Sequence, residues 1–508
     1  MGSTAIMLML VTIISKVMGF AREMVMGNFF GTSDIASIYV MSNTLPVVIV
    51  NFVANGIIAG FIPVYNMAKK EGGIERAEKF TSNLFNILMV FGTIAIFLGM
   101  VFARVFCKIL SPSLDGELLD IATTFTRIMM FSVYAYLYSA VYRGYLNQKG
   151  DFITPATTGI VMDVIIIFFI VLSGIRGDIY LLAIGALLGN SLQYALFPIA
   201  LKKKGYKHKF KIDLKDEYTR ALLRIVIPTV ISVAAAEIAL IVDNSMASAF
   251  FGNDKISVLD YSKKIIGIIY GIITVSITTS IYPTIARLAS EKNFSQMKKE
   301  LNSTVILTLA FVVPSVIGLM SLSNPIISLV YKRGAFNEES VAITAGVLFS
   351  YAPYVIFQSI SDVIDRSFYA VGDSKTPVAI SISQQVFNII GNLVLINFFG
   401  LNGIAVATSL SCLYGAIILM YFYRKKFGKG KALNSIISVI KITIISIIMG
   451  LIAHFSYNLF NKTFSEIIST FFAIAIAGIF YVLAILISQI PEIKEIVNKV
   501  YHKVFKNK

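Results

Sequence analysis

The chain has 508 residues, of which 56% are hydrophobic and only 14% charged, and its formal net charge is +16. That balance is too apolar for a water-soluble globular protein and places the chain in a bilayer. The positive excess suits anionic lipid head groups and not nucleic acid, because no soluble segment is long enough to carry a compact basic face.

A helix crosses the hydrocarbon core with ~20 mainly apolar residues, and the sequence supplies fourteen such stretches. In the first half they lie at roughly 4 to 26, 35 to 65, 82 to 110, 120 to 145, 156 to 174 and 179 to 201. The second half supplies roughly 221 to 250, 257 to 286, 301 to 331, 340 to 368, 377 to 398 and 402 to 423, and then a further pair near 434 to 460 and 465 to 489. The first stretch lacks a basic leader and a small-residue cleavage site, so it reads as a retained span. Between the sixth and seventh spans runs the basic segment KKKGYKHKFKIDLKDEYTR, Lys202 to Arg220. No connection exceeds about twenty residues, which leaves no room for a catalytic domain of ~50 residues or more.

Two blocks give the chain an internal repeat. RGYLNQKGDFITP, from Arg143, returns as RSFYAVGDSKTP from Arg366, and FIPVYNMAKKEG, from Phe61, pairs with IYPTIARLASEK from Ile281. Six spans per copy keep both copies in one orientation, the parallel-repeat arrangement of transporters. The expected fold is therefore all-α and polytopic, with fourteen transmembrane helices in two six-helix lobes plus a C-terminal helix pair. Its parts are a lobe over 1–204, a basic linker over 205–220, a lobe over 221–426, the extra pair over 434–489 and a basic tail over 490–508. With the N-terminus inside, the inner connections and tail hold thirty Lys and Arg and the outer ones hold six, which predicts both termini in the cytoplasm. Pro46, Pro228, Pro314 and Pro353 fall within spans and would let helices bend around a cleft, although membrane helices often carry proline. Cys107 and Cys412 have no metal-ligand neighbours and read as buried and inert.

Ionisable groups inside a membrane each cost ~2.5 to 3.5 kcal/mol, so they normally face a cavity or a partner. The first span carries Lys16, Arg22 and Glu23. Lys16 is deep enough for a cavity role, whereas Arg22 and Glu23 also suit snorkelling; as neighbours in sequence these two are expected not to face each other. In the eighth span Asp260 and Lys264 have ion-pair spacing, which leaves Lys263 either to bind phosphate as a point charge or to sit at a solvated helix start. Asp243, Asn388, Asn392 and Thr408 offer carboxylate, amide and hydroxyl oxygens that suit an alkali cation such as sodium, with interhelical hydrogen bonding as the competing reading. Asp362 and Arg366 also have pairing spacing. The GD-x-x-TP turn that follows reads as a rigid structural elbow, where Asp caps and Thr-Pro starts the next helix. Glu237, Asp163 and Lys441 are unassigned single charges, and His454 reads as an interfacial residue.

SKVMGFARE from Ser15, GFIPVY from Gly60, RGAFNEESVAITAGVL from Arg333 and RSFYAVGDSKTP from Arg366 resemble the MurJ (MviN) family of the multidrug/oligosaccharidyl-lipid/polysaccharide exporter superfamily. The resemblance covers nearly the whole chain. It implies a lipid II flippase, not an enzyme, that moves the undecaprenyl-pyrophosphate-linked peptidoglycan precursor across a bacterial plasma membrane by alternating access. It also implies that Lys16, Arg22 and Lys263 contact the pyrophosphate, that Asp243, Asn388, Asn392 and Thr408 form a cation site open to sodium coupling, and that the last two spans form a groove for the polyprenyl tail. Partners would be the lipid-linked precursor, membrane lipids and candidate cell-wall synthesis proteins, with the chain itself a monomer. In the second span Val50 and Asn51 stand where the family usually has Arg, which makes the cavity less cationic. Alternative cargoes are another polyprenyl-linked glycan, such as a teichoic acid, capsule or exopolysaccharide unit, or drugs carried by a cation-coupled exporter.

Overall fold

A computed structural model describes residues 2–428 and 432–494, without the side chains at 2–6, 9, 55, 58, 59, 227–229, 231, 232 and 432–435; the side chain of Pro228 and the end of the expected tail are therefore outside what is described. Among the described residues every regular element is helical. Thirteen helices are long and apolar enough to cross a membrane, and the 29-residue helix Gly2–Phe30 precedes them, consistent with the expected fourteen spans. Side chains such as Phe168, Phe398 and Ile487 stay exposed along these helices, as lipid-facing positions do.

The chain divides into two compact units, Met1–Ser257 with Arg333–Asn337, and Val258–Lys332 with Glu338–Lys508. The first contains α1 (Gly2–Phe30), α2 (Asp34–Leu110), α3 (Gly116–Met130), α4 (Ser132–Gln148), α5 (Ile153–Arg176), α6 (Tyr180–Leu192), α7 (Phe197–Lys203) and α8 (Glu217–Phe251). The 77 residues of α2 are two legs that meet at Gly73, where φ of 73° and ψ of −175° suit glycine alone.

The halves of the sequence repeat and the compact units are different partitions, since the basic linker and α8 both belong to the first unit. Close approach to α2 explains why. A Cβ on Gly56 would stand 2.7 Å from Val226 Cα, and one on Gly60 would stand 2.6 Å from Leu222 Cδ1. This Gly-x-x-x-Gly strip gives α8 a groove of the small-residue kind that drives helix association in lipid.

The linker lies along the second leg of α2. Asn83 Nδ2 donates to the Asp213 carbonyl at 2.9 Å and Asn83 Oδ1 accepts from Asp213 N at 2.7 Å. Asn86 Nδ2 donates to the carbonyls of Lys209 and Lys211, and Lys209 N donates to Ser82 Oγ. Asn86 Oδ1 therefore faces His208 Nε2, 3.0 Å away, as an acceptor, which sets the Nε2–H tautomer. Burial holds the His208 imidazole below its ordinary pKa. Asp216 then caps α8 through Thr219 N at 2.9 Å and pairs with Arg76 at 2.7 Å.

Residues Arg333–Asn337 attach to the end of α1 through main chain. Ala335 N donates to the Asn28 carbonyl at 2.8 Å. Gly31 and Gly334 both adopt left-handed φ, near +53° and +54°; a Cβ on Gly31 would stand 2.5 Å from the Ala335 carbonyl oxygen, and one on Gly334 would collide with that of Asn28.

The second unit contains α9 (Lys255–Ile269) from Val258 onward, a π-helical turn at Tyr270–Val275, α10 (Ser276–Ser290), α11 (Phe294–Ser321), α12 (Ser323–Tyr331), α13 (Glu338–Tyr351), α14 (Tyr354–Ala370), α15 (Lys375–Phe399), α16 (Asn402–Phe427), α17 (Ala432–Phe460) and α18 (Glu466–Ile487). The C-terminal pair packs onto α11, where Gly450 meets Ile317 and Tyr481 Oη donates to the Ala310 carbonyl at 2.6 Å.

The repeated elbow has the same chemistry in both units. Gly150 and Gly372 have φ of 77° and 76°. Asp151 accepts from Thr154 N at 3.1 Å and Thr154 Oγ1 at 2.9 Å, and Asp373 accepts from Thr376 N and Oγ1 at the same two distances. Lys426 adds a 2.5 Å ion pair to Asp373, and its hydrogen bond, followed by those from Thr376, holds that carboxyl at about 2.

Candidate functional site

The buried charges of the first unit gather where α1 meets α5. Small residues bring the helices together: a Cβ on Gly159 would collide with Ser15, one on Gly174 with Phe29, and one on Gly19 would stand 3.3 Å from Asp163 Oδ2. Arg22 Nη1 donates to Asp163 Oδ1 at 2.8 Å, while Arg22 Nη2 and Nε donate to Glu23 Oε1 at 2.8 and 3.1 Å. Arg22 and Glu23 thus bond directly, against the expectation that sequence neighbours do not face each other; the long guanidinium folds back across its own helix to reach the carboxylate. Asp163 ceases to be a single charge. Its side chain is 3% exposed, that of Glu23 9% and that of Arg22 23%, so the cation keeps an open edge while both anions are enclosed.

Lys16 lies exposed on α1, one and a half turns before this cluster. A second polar pair joins α2 to α8, where Asn51 Nδ2 donates to Glu237 Oε1 at 2.8 Å. Glu237, too, is therefore partnered, and Asn51 serves it as a neutral donor. Asp243 is buried on α8 in this unit.

In the second unit Lys264 pairs with Asp260 at 2.5 Å, as their spacing predicts. Half-buried Lys263 holds its ammonium 5.3 Å from the centroid of the Tyr351 ring, a cation–π distance. Asn388 and Asn392 are buried on α15, and Asn388 Nδ2 donates to Thr408 Oγ1 of α16 at 3.1 Å. That bond is the interhelical hydrogen bonding weighed against a cation site. Among the described residues no three His, Cys, Asp or Glu side chains cluster as metal ligands.

The spacing of Asp362 and Arg366 does not produce an ion pair at contact distance. Asp362 accepts from Gln358 Nε2 at 2.9 Å and from Tyr270 Oη, while Arg366 lies 5.6 Å over the Tyr282 ring. The π-helical turn starts at Tyr270 and places its hydroxyl on Asp362, so local helix spacing loses to a tertiary donor. Lys441 donates to the Ser488 carbonyl at 3.0 Å, and His454 meets Asn458 at the same distance. Cys107 and Cys412 are both buried thiols.

Comparison with known proteins agrees with this architecture. A probable lipid II flippase MurJ of Thermotoga maritima is 27% identical over 97% of each chain, and the lipid II flippase MurJ of Thermosipho africanus is 27% identical over 85% of this chain and 89% of its own. A solved lipid II flippase MurJ in an inward closed conformation superposes with a TM-score of 0.81 at 25% identity, over 94% of this chain and 98% of that one. An inward-facing multidrug resistance MATE transporter of the MOP superfamily shares the fold, with a TM-score of 0.69 at 13% identity over 83% of this chain and 98% of its own. The model of the family described as lipid II flippase MurJ matches residues 26–476, so this multi-pass membrane chain belongs to that family of transporters.

Proposed function

We propose that the chain moves lipid II, the undecaprenyl-pyrophosphate-linked peptidoglycan precursor, from the inner to the outer leaflet of a bacterial plasma membrane by alternating access. The observation that carries this reading is the family match over residues 26–476, joined to the MurJ fold over 94% of the chain. Arg22, with its open edge, Lys16 and Lys263 are the proposed pyrophosphate contacts; each is a cation in or beside a span. An inside-negative potential favours outward passage of the anion by ~2.3 kcal/mol per charge per 100 mV. Asp243, Asn388, Asn392 and Thr408 are the proposed sodium site, which would favour the return step. The lobes over 1–204 and 221–426 would be the moving bodies, and the pair over 434–489 would serve the prenyl tail. The Lys and Arg excess of thirty to six supports cytoplasmic termini. The working form is a monomer beside cell-wall synthesis proteins.

A second reading keeps the mechanism and changes the cargo to another polyprenyl-linked glycan. Asn51 bound to Glu237, where the family usually offers Arg, favours it by making the first unit less cationic. The deciding experiment expresses the chain in cells whose own lipid II flippase is switched off and measures how much lipid II an external lipid II-cleaving toxin reaches. Restored cleavage that is lost in well-expressed Arg22→Gln and Lys263→Gln variants supports lipid II. Protected lipid II in cells that express the wild type well moves the assignment to the other glycans.

A further inference from the structure

The linker carries an apolar strip that the fold leaves uncovered. Phe210 is 94% exposed, Ile212 54% and Leu214 67%, at every second position, while the main chain around them bonds to Ser82, Asn83 and Asn86 of α2. Single exposed apolar side chains are ordinary, but three in alternation on an otherwise polar connection mark a contact surface. The strip is set among exposed lysines, Lys204, Lys207, Lys209, Lys211 and Lys215. Residues 204–216 hold these five lysines against two aspartates, and both aspartates are engaged: Asp213 accepts from Lys215 N at 2.9 Å, and buried Asp216 caps α8 and pairs with Arg76.

The position of α2 identifies what covers the strip. Ser82 opens the apolar stretch 82–110, so the linker lies level with one end of a span, at the depth of the lipid head groups. On a helix that turns 100° per residue, the exposed face of Val90, Ile94, Phe97, Leu98 and Val101 lies roughly 60° round from the face of Ser82, Asn83 and Asn86. Buried Leu84, Leu88 and Ile96 lie roughly 150° away. The linker therefore sits on the lipid side of α2 and not on its packed side. We infer that residues 204–216 form a docking site for anionic phospholipid of the inner leaflet, with Phe210, Ile212 and Leu214 in the acyl boundary and the lysines on head-group phosphates. Lysine suits this role because its stem lies along apolar surface while its ammonium meets phosphate as a point charge. An acidic soluble protein fits less well, since it would need the strip clear of the bilayer that α2 sets it against. The inner leaflet follows from the topology proposed above, and the site itself is independent of the cargo.

The chain has no tryptophan, so Phe210→Trp supplies a single fluorescent reporter, with Leu214→Trp as the second should the first fold poorly. The full chain is placed in nanodiscs of phosphatidylcholine and phosphatidylglycerol, and emission is read while one lipid or the other carries bromine on its acyl chains. Immersion should give blue-shifted emission, shielded from aqueous acrylamide and quenched by brominated lipid. Quenching should be about twofold stronger from brominated phosphatidylglycerol than from brominated phosphatidylcholine at equal mole fraction. That preference should vanish at about 1 M salt, and in a variant combining Lys207→Gln, Lys209→Gln, Lys211→Gln and Lys215→Gln. Red-shifted emission open to acrylamide in both reporters puts the strip in water and overturns the inference. Equal quenching by the two lipids overturns the head-group site, and a reporter shielded from acrylamide yet unquenched by either lipid shows protein covering the strip and overturns it too. No cargo enters the assay and both leaflets of a nanodisc have the same lipids, so these outcomes stand whatever the chain transports and whichever way it faces.

Discussion

Asp151 and Asp373 show how much one side chain can fix. Each accepts from the backbone and hydroxyl of the threonine three residues on, and thereby sets the angle at which the next span leaves the turn. Replacement of Asp373 by Ala should cost about 1 kcal/mol, the usual penalty for losing a helix-start cap, measured by thermal unfolding in detergent. Because its folded pKa is depressed, this contribution is full above the ordinary carboxylate range and disappears only as pH falls through about 2. Arg22 is the opposite case, a residue whose loss strands charge. Arg22→Ala leaves Asp163 enclosed without its cation and should destabilise the protein by about 3–5 kcal/mol, read as a lowered denaturant midpoint. The elbow is legible in sequence because the threonine that each aspartate caps lies only three residues on and the block occurs twice, although the Lys426 partner of Asp373 comes from far along the chain. Asp163 is not, since its partner lies 141 positions away and only the tertiary fold brings them together.

At the level of elements, the glycine strip of α2 decides where α8 goes. Gly60→Leu should push against Leu222 and Ile225, weaken the α2–α8 seam by about 1–3 kcal/mol and raise hydrogen exchange along α8. The Gly-x-x-x-Gly signal was present in the sequence, at Gly56 and Gly60, but the internal repeat directs attention to the basic run as the joint between halves. That run is a linker by composition, yet it lies on the face made by Ser82, Asn83 and Asn86, and nothing in its own residues announces this. His208 makes the docking sensitive to acid. Its depressed pKa means that full stability holds above about 6.5, its ordinary value, and falls as pH drops below it, because the unfolded segment takes up the proton first. Hydrogen exchange of residues 205–216 should therefore accelerate between neutral and mildly acidic pH, and His208→Asn should abolish the acceleration.

For the molecule as a whole, hydropathy and repeat together were enough for the fold, since a membrane admits few architectures and the spans follow length alone. Charge placement was harder to read. Of the ionisable groups noted within spans, Arg22, Asp163, Glu237 and Asp260 all have close partners, so an isolated charge in sequence becomes a shared one in three dimensions. The attachment of Arg333–Asn337 to the end of α1 carries a different lesson. Both glycines and the Ala335–Asn28 bond act through main chain, so this junction is specified by outline and is blind to most side chains. Saturation mutagenesis scored by growth should find Ala335, which is exposed, permissive to many residues and Gly31 and Gly334 accepting none, a tolerance map in which the most restricted letters are those with no side chain at all.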